Sequence, residues 1–221
     1  MKLNIIEKSI LALVLIVVVL GIYFSRTDLQ YFDGFYVRED GPVEWVTVVF
    51  LLMGSFISLK RFIHFKGKKP TLFLLGTLGL SFLFFFGAGE EISWGQRIFD
   101  IKSPEFFRNN NSQMETNIHN LIYEGKKINK IIFGLLLGIA ISLYLLILPV
   151  LYQKYEWAKN LVLKFAIPLP QFYQILAYIT LAILAQFVSS AKKGEILEFG
   201  GCVLFFLIIL FPVNKKELYF Q

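Results

Sequence analysis

The chain predicts an all-α fold: a polytopic integral membrane helix bundle with about six transmembrane helices. Three observations carry that expectation. Hydrophobic residues make up 56% of the 221 positions and charged ones 17%, against roughly 45–50% and 25% in soluble globular chains. The apolar residues lie in long blocks, and the mean hydropathy is +0.63. Between the second and third blocks, Lys60, Arg61, Lys66, Lys68 and Lys69 fall within ten residues that hold no acid, the signature of a cytoplasmic loop. A single cysteine, Cys202, excludes an internal disulfide framework and any multi-cysteine metal site.

Crossing a hydrocarbon core of about 30 Å takes about twenty apolar residues. Residues 10–24 approach that length if Lys8 snorkels to the headgroups. The block resembles a signal peptide, but no small-x-small cleavage site follows it, so it reads as a retained first helix. Residues 43–59 are interrupted only by Glu44; residues 71–89 and 131–152 carry no charge. Residues 172–188 hold the uncharged polar pair Gln174 and Gln186, and residues 199–213 are extended forward by Glu195 to Glu198. Nothing separates a second domain, so residues 1–216 read as one transmembrane domain. Residues 217–221, Glu-Leu-Tyr-Phe-Gln, resemble the remnant of a protease-cleavable purification tag.

Six crossings put both termini in the cytoplasm. The inner side then carries twelve bases and three acids, net +9, and the outer side ten bases and thirteen acids, net −3. The basic surplus faces anionic lipid. Nucleic acid is not an expected partner, because the bases are split among loops without aromatic interleaving. Gly134 and Gly138, continued by Ser142, make a small-residue face that suits bundle packing or a homo-oligomer, and Gly200, Gly201 and Cys202 thin the last helix.

Three polar clusters fall on the outer side. In Arg38-Glu39-Asp40-Gly41-Pro42-Val43-Glu44-Trp45, Asp40 is placed as an N-cap and Pro42 in the first helical turn. Glu44 lies one turn inside the membrane helix. In Gly87-Ala88-Gly89-Glu90-Glu91-Ile92-Ser93-Trp94-Gly95-Gln96-Arg97, adjacent glutamates point about 100° apart on a helix, so one faces the bundle. Arg97 can balance one of them if the helix continues or folds back, and Ser93 stands beside them as a possible nucleophile. An ionisable residue at membrane depth is costly and points to function. In the run from Asn109 to Asn120, a helix would set Glu115 and His119 one turn apart, a spacing that suits a metal or an acid–base pair. Glu195 and Glu198 can join this end from the last helix.

The strings Glu39 to Trp45, Gly89 to Arg97 and Asn117-Ile118-His119-Asn120 resemble those of a family of uncharacterised bacterial multi-pass membrane proteins. The resemblance spans roughly the second helix to the end of the third loop. It implies a bacterial inner-membrane location and no particular activity. A weaker similarity is to the glutamate-type intramembrane proteases of the prenyl-protein (CAAX)-processing and bacteriocin-immunity family. Those pair a double glutamate with an arginine two residues closer than Arg97, and place further histidine motifs on later helices; this chain has no histidine after His119.

These readings lead to a membrane-embedded enzyme acting on a lipid or lipid-linked substrate by hydrolysis or group transfer. Glu90 or Glu91 is the expected base, His119 with Glu115 the acid or ligand, and Arg97 the holder of an anionic headgroup. Glu91, Glu115 and His119 are the expected ligands of a divalent metal ion. Glu44, Trp94, Gln96, Gln113, Asn117 and Asn120 would line the pocket. The alternative is a non-catalytic protein: a carrier of a small molecule or ion, or a scaffold in an envelope complex. Carriers place charges at the midplane of broken helices, and these helix cores are uncharged.

Overall fold

The computed structural model describes residues 3–118, 120–123, 126–127 and 136–220. His119 and Gly134 lie outside the described residues. The architecture is helical, with a two-residue antiparallel ladder, Ile122–Tyr123 against Lys126–Lys127, as the strand structure among the described residues.

Helix α1, Ile5–Thr27, starts earlier than its apolar block because Asn4 and Glu7 form a reciprocal capping box: the Asn4 side chain accepts from the Glu7 amide at 2.9 Å and Glu7 from the Asn4 amide at 2.8 Å. The following π-helical turn, Phe32–Tyr36, folds back so that Tyr36 Oη donates to the Val17 carbonyl at 2.9 Å. Helices α2, Pro42–Phe65, and α3, Thr71–Glu91, form a close hairpin. Gly54 allows this approach, since a Cβ there would stand 2.3 Å from the Phe84 ring.

Helix α4, Leu137–Lys154, carries a π-helical turn at Leu143–Ile147 just ahead of Pro149. Proline has no N–H and crowds the preceding turn, which the wider turn relieves. Its residues are largely exposed, and a Cβ at Gly138 would meet nothing within 4 Å. Helix α5, Glu156–Lys164, follows a break at Tyr155. Helix α6, Phe172–Phe187, is followed by α7, Lys193–Leu210, and by the short α8, Lys215–Tyr219.

Among the described residues, four helices, α1 to α4, are long and apolar enough to cross a membrane. Helix α6 has sixteen residues, about 24 Å at 1.5 Å per residue. Helix α7 begins with Lys193, Glu195 and Glu198. It is nonetheless the centre of the bundle, packed against α1, α2 and α6, with Phe199, Leu204 and Leu207 fully buried. Small residues bring α6 and α7 together: a Cβ at Gly200 would stand 2.5 Å from the Leu181 methyls. Buried Gln174 adds polar glue of the kind membrane bundles use, its amide donating to the Leu207 and Phe211 carbonyls, each at 3.2 Å.

Long-range bonds show that α1 and α6 run parallel. At one end Tyr173 Oη donates to Glu7 at 2.6 Å. At the other, Arg26 Nε donates to the Phe187 carbonyl at 3.0 Å and the Ser189 amide to Ser25 Oγ at 3.1 Å. The second end also holds Glu44, Glu91 and the loop from Ile92 to Leu121.

Helix α5 docks on α3 by backbone, because a Cβ at Gly76 would lie 1.8 Å from the Phe165 carbonyl oxygen. Gly76→Ala should therefore destabilise the detergent-purified protein by about 1–3 kcal/mol through overpacking, seen as a lowered melting temperature. Gly79→Ala should leave that temperature unchanged, since nothing lies within 4 Å of its Cβ.

Candidate functional site

Helix α3 stops at Glu91, and Ser93 (φ 47), Trp94 (φ 55) and Gly95 (φ 78) take the left-handed region in succession. Two of these are not glycine, so the turn is strained by on the order of 1–3 kcal/mol per residue and must be held from outside. Trp94 folds back over Gly89, where a Cβ would meet its ring at 2.8 Å, and its Nε1 donates to Glu90 Oε1 at 2.9 Å. The other Glu90 oxygen accepts from the Ile118 amide at 2.6 Å. Glu90 is thus buried and occupied by partners that lock the loop onto the helix.

The turn delivers Arg97 into a ring of carboxylates. Its Nη1 lies 2.7 Å from Glu115 Oε2 and its Nη2 2.8 Å from Glu44 Oε1. Its Nε lies 2.8 Å from Asp40 Oδ2, and Glu39 Oε2 stands 3.7 Å from Nη1. Nη2 also donates to the Glu91 carbonyl at 3.2 Å and Nη1 to Ser93 Oγ at 3.3 Å. Arg97 therefore balances neither the Glu90 nor the Glu91 carboxyl; of that pair it touches only the Glu91 backbone. Burial alone would lower its pKa, but its hydrogen bonds to the Glu115 and Asp40 carboxylates outweigh that and hold it above the usual arginine value.

Ser93 is fully buried. Its hydroxyl donates to Glu115 in a short hydrogen bond and accepts from Asn117 Nδ2 at 2.9 Å. A nucleophile needs an accessible oxygen, and this one is sealed. Asn117 also donates to Glu115 at 3.2 Å and is held by Asn111, whose Nδ2 reaches its Oδ1 and carbonyl, each at 2.9 Å. Gln96 accepts from the Thr116 amide at 2.7 Å. Gln113 donates to Glu39 and accepts from the Asn120 side chain.

Two expectations of local structure are corrected here. Glu115 to Ile118 lie on an irregular loop, so no helix runs through Glu115. The reason is visible in Asn111, whose Oδ1 accepts from the Gln113 amide at 2.9 Å and the Glu115 amide at 3.3 Å and so competes for the bonds a helix would need. Asp40 is not the N-cap of α2. Gly41 takes that position, and Glu44 reaches back to accept from the Asp40 amide at 3.0 Å.

No family model, curated protein or solved structure matches this chain.

Glu91 belongs to a different group from Glu90. Its half-buried side chain faces α7, with the Glu198 carboxyl as its nearest charged neighbour and Glu44 and Glu195 close enough to act on it electrostatically. Glu44 thus stands between the Arg97 ring and the Glu91–Glu198 pair. Of the expected metal ligands, His119 lies outside the described residues and Glu115 Oε2 accepts from Ser93, Asn117 and Arg97; among the described residues no group of three His, Cys, Asp or Glu is arranged to hold a metal. Sequence reasoning missed Glu39, Asp40 and Asn111 as partners. Only the closeness of Glu39 and Asp40 to Glu44 along the chain hinted at two of them.

Replacing Arg97 with Gln should cost roughly 3 kcal/mol of stability, because it strands buried carboxylates; Arg97→Lys should not rescue it, since one ammonium cannot serve this many acceptors. A chemical or thermal melt of both variants checks this. Glu39 behaves oppositely. Burial, then repulsion from Glu115, holds its carboxyl above the usual range despite Arg97. A carboxyl raised in the folded state stabilises the fold while protonated, and that contribution is lost as pH rises. Glu39→Gln should therefore raise the melting temperature at about pH 7.5 and change it little at about pH 4.

Proposed function

We propose that the chain is a membrane-embedded enzyme that hydrolyses, or transfers a group from, a lipid or lipid-linked substrate, with Glu91 and Glu198 as its acid–base pair. The contact between these two carboxyls carries the reading. Two carboxyls side by side cannot both easily ionise, so such a pair can keep one proton and set an acid beside a base. In hydrolysis of an ester or amide, the carboxylate member takes a proton from water as its oxygen bonds to the scissile carbonyl carbon. The protonated member gives its proton to the leaving oxygen or nitrogen. One proton is gained and one lost, so the pair ends as it began.

The exposed apolar rim beside this end, formed by Phe99, Ile101 and Phe106, supports a lipid-borne substrate. Charge supports an uncharged or cationic head near the scissile bond: Arg97 directs its donors at protein acceptors, and carboxylates outnumber it. Its role is positioning rather than holding a phosphate. The proposal takes six crossings in a bacterial inner membrane, both termini cytoplasmic, and the basic surplus at the opposite end supports that orientation.

A second reading has its own observation. Arg97, Ser93, Glu115 and Asn117 satisfy one another, which is how a structural plug of a non-catalytic scaffold is built.

The test is to incubate proteoliposomes with a total lipid extract and lipid-linked peptides in ¹⁸O-water, with mass spectrometry of the products. Hydrolysis predicts a labelled product, and transfer an unlabelled one. Either should fall at least about a hundredfold in folded Glu91→Gln and Glu198→Gln variants. A product unaffected by both substitutions would contradict the acid–base pair. No product from any lipid class would leave the scaffold reading standing.

A further inference from the structure

We infer that α5, together with the α2–α3 loop beside it, is an interfacial element that binds the headgroups of anionic phospholipids. The inference concerns the end of the bundle opposite Glu91 and does not depend on the chemistry proposed there.

Helix α5 is sided in three ways. Ala158 and Val162, continued by Ala166 just past its end, are buried against the protein. This stripe joins Phe65 and Phe73, at the facing ends of α2 and α3, in a small apolar cluster with Ala166. A second stripe, Trp157, Leu161 and Phe165, recurs at the same four-residue spacing next to the first and is exposed, Trp157 by 60% and Leu161 by 43%. The remaining face carries Glu156, Lys159, Asn160 and Lys164. A helix with one apolar stripe packed on protein, a second apolar stripe open and a polar face bearing lysines has the pattern of helices that lie in the headgroup–acyl boundary.

Charge complementarity fixes the occupant. This end holds eleven bases among the described residues, from Lys8 to Lys216, against Glu7, Glu156 and Glu217. Lys66, Lys68 and Lys154 are exposed close to α5 along the chain or across the Phe65–Ala166 cluster. A cationic surface edged by an exposed tryptophan fits phosphate headgroups, each lysine near such a surface contributing about 1 kcal/mol. An acidic protein partner would account for the lysines but not for the open apolar stripe of Trp157, Leu161 and Phe165.

The experiment uses the full chain in vesicles of mixed phosphatidylcholine and phosphatidylglycerol. Spin labels are placed singly at Leu161→Cys and Asn160→Cys in a Cys202→Ala background. The label at 161 should collide with lipid-dissolved oxygen more than with a water-soluble nickel complex, and the label at 160 the reverse. Native mass spectrometry of the released protein should show phosphatidylglycerol retained over phosphatidylcholine, the preference falling roughly fivefold for each of Lys159→Gln and Lys164→Gln. A water-exposed label at 161, a label shielded from both reagents (a protein neighbour), or equal retention of the two lipids would each overturn the inference.

Discussion

One guanidinium organises the polar end of this bundle. Arg97 reaches Glu44 at the start of α2, the carbonyl of Glu91 at the end of α3, and Glu115 in the long loop, with Asp40 and Glu39 closing the ring. Five donors in a rigid fork make this possible for arginine alone. A left-handed turn over Ser93–Gly95 is unfavourable by itself, and the ring holds it: the same Glu115 that pairs with Arg97 accepts from Ser93 and Asn117.

That constraint divides the acids by role. Glu90 and Glu115 are occupied by donors that shape the loop, which leaves them little freedom for chemistry. Glu91 turns the other way, towards Glu198 on the central helix α7. The later turns of helix α7 are buried against α1, α2 and α6, while Glu195 and Glu198 in its first turns are exposed. The adjacent glutamates of α3 thus serve two ends, as their angular separation on a helix requires.

Four of the apolar blocks, now α1 to α4, were legible in the sequence as helices long and apolar enough to cross a membrane, since such runs have few alternatives. So were the closeness of Glu44 to the site and the break after Glu91 that its glycines allow. The start of α1 was not, because it depends on the Asn4–Glu7 box; that of α7 was read from Glu195, two residues after its actual start at Lys193. The partners of Arg97 were hidden for a different reason: Glu44 lies 53 residues away and Glu115 18, so no local spacing announces either. The helix drawn through Glu115 failed because periodicity takes no account of asparagine side chains that claim backbone amides.

The claim that Arg97 ties three segments together is tested most directly by hydrogen–deuterium exchange of the purified protein and its Arg97→Gln variant, read by mass spectrometry. The account predicts faster exchange in residues 37–44, 90–97 and 111–118 together, with the centres of α2, α3 and α7 still protected. Faster exchange confined to residues 90–97, with the other two segments unchanged, would contradict it.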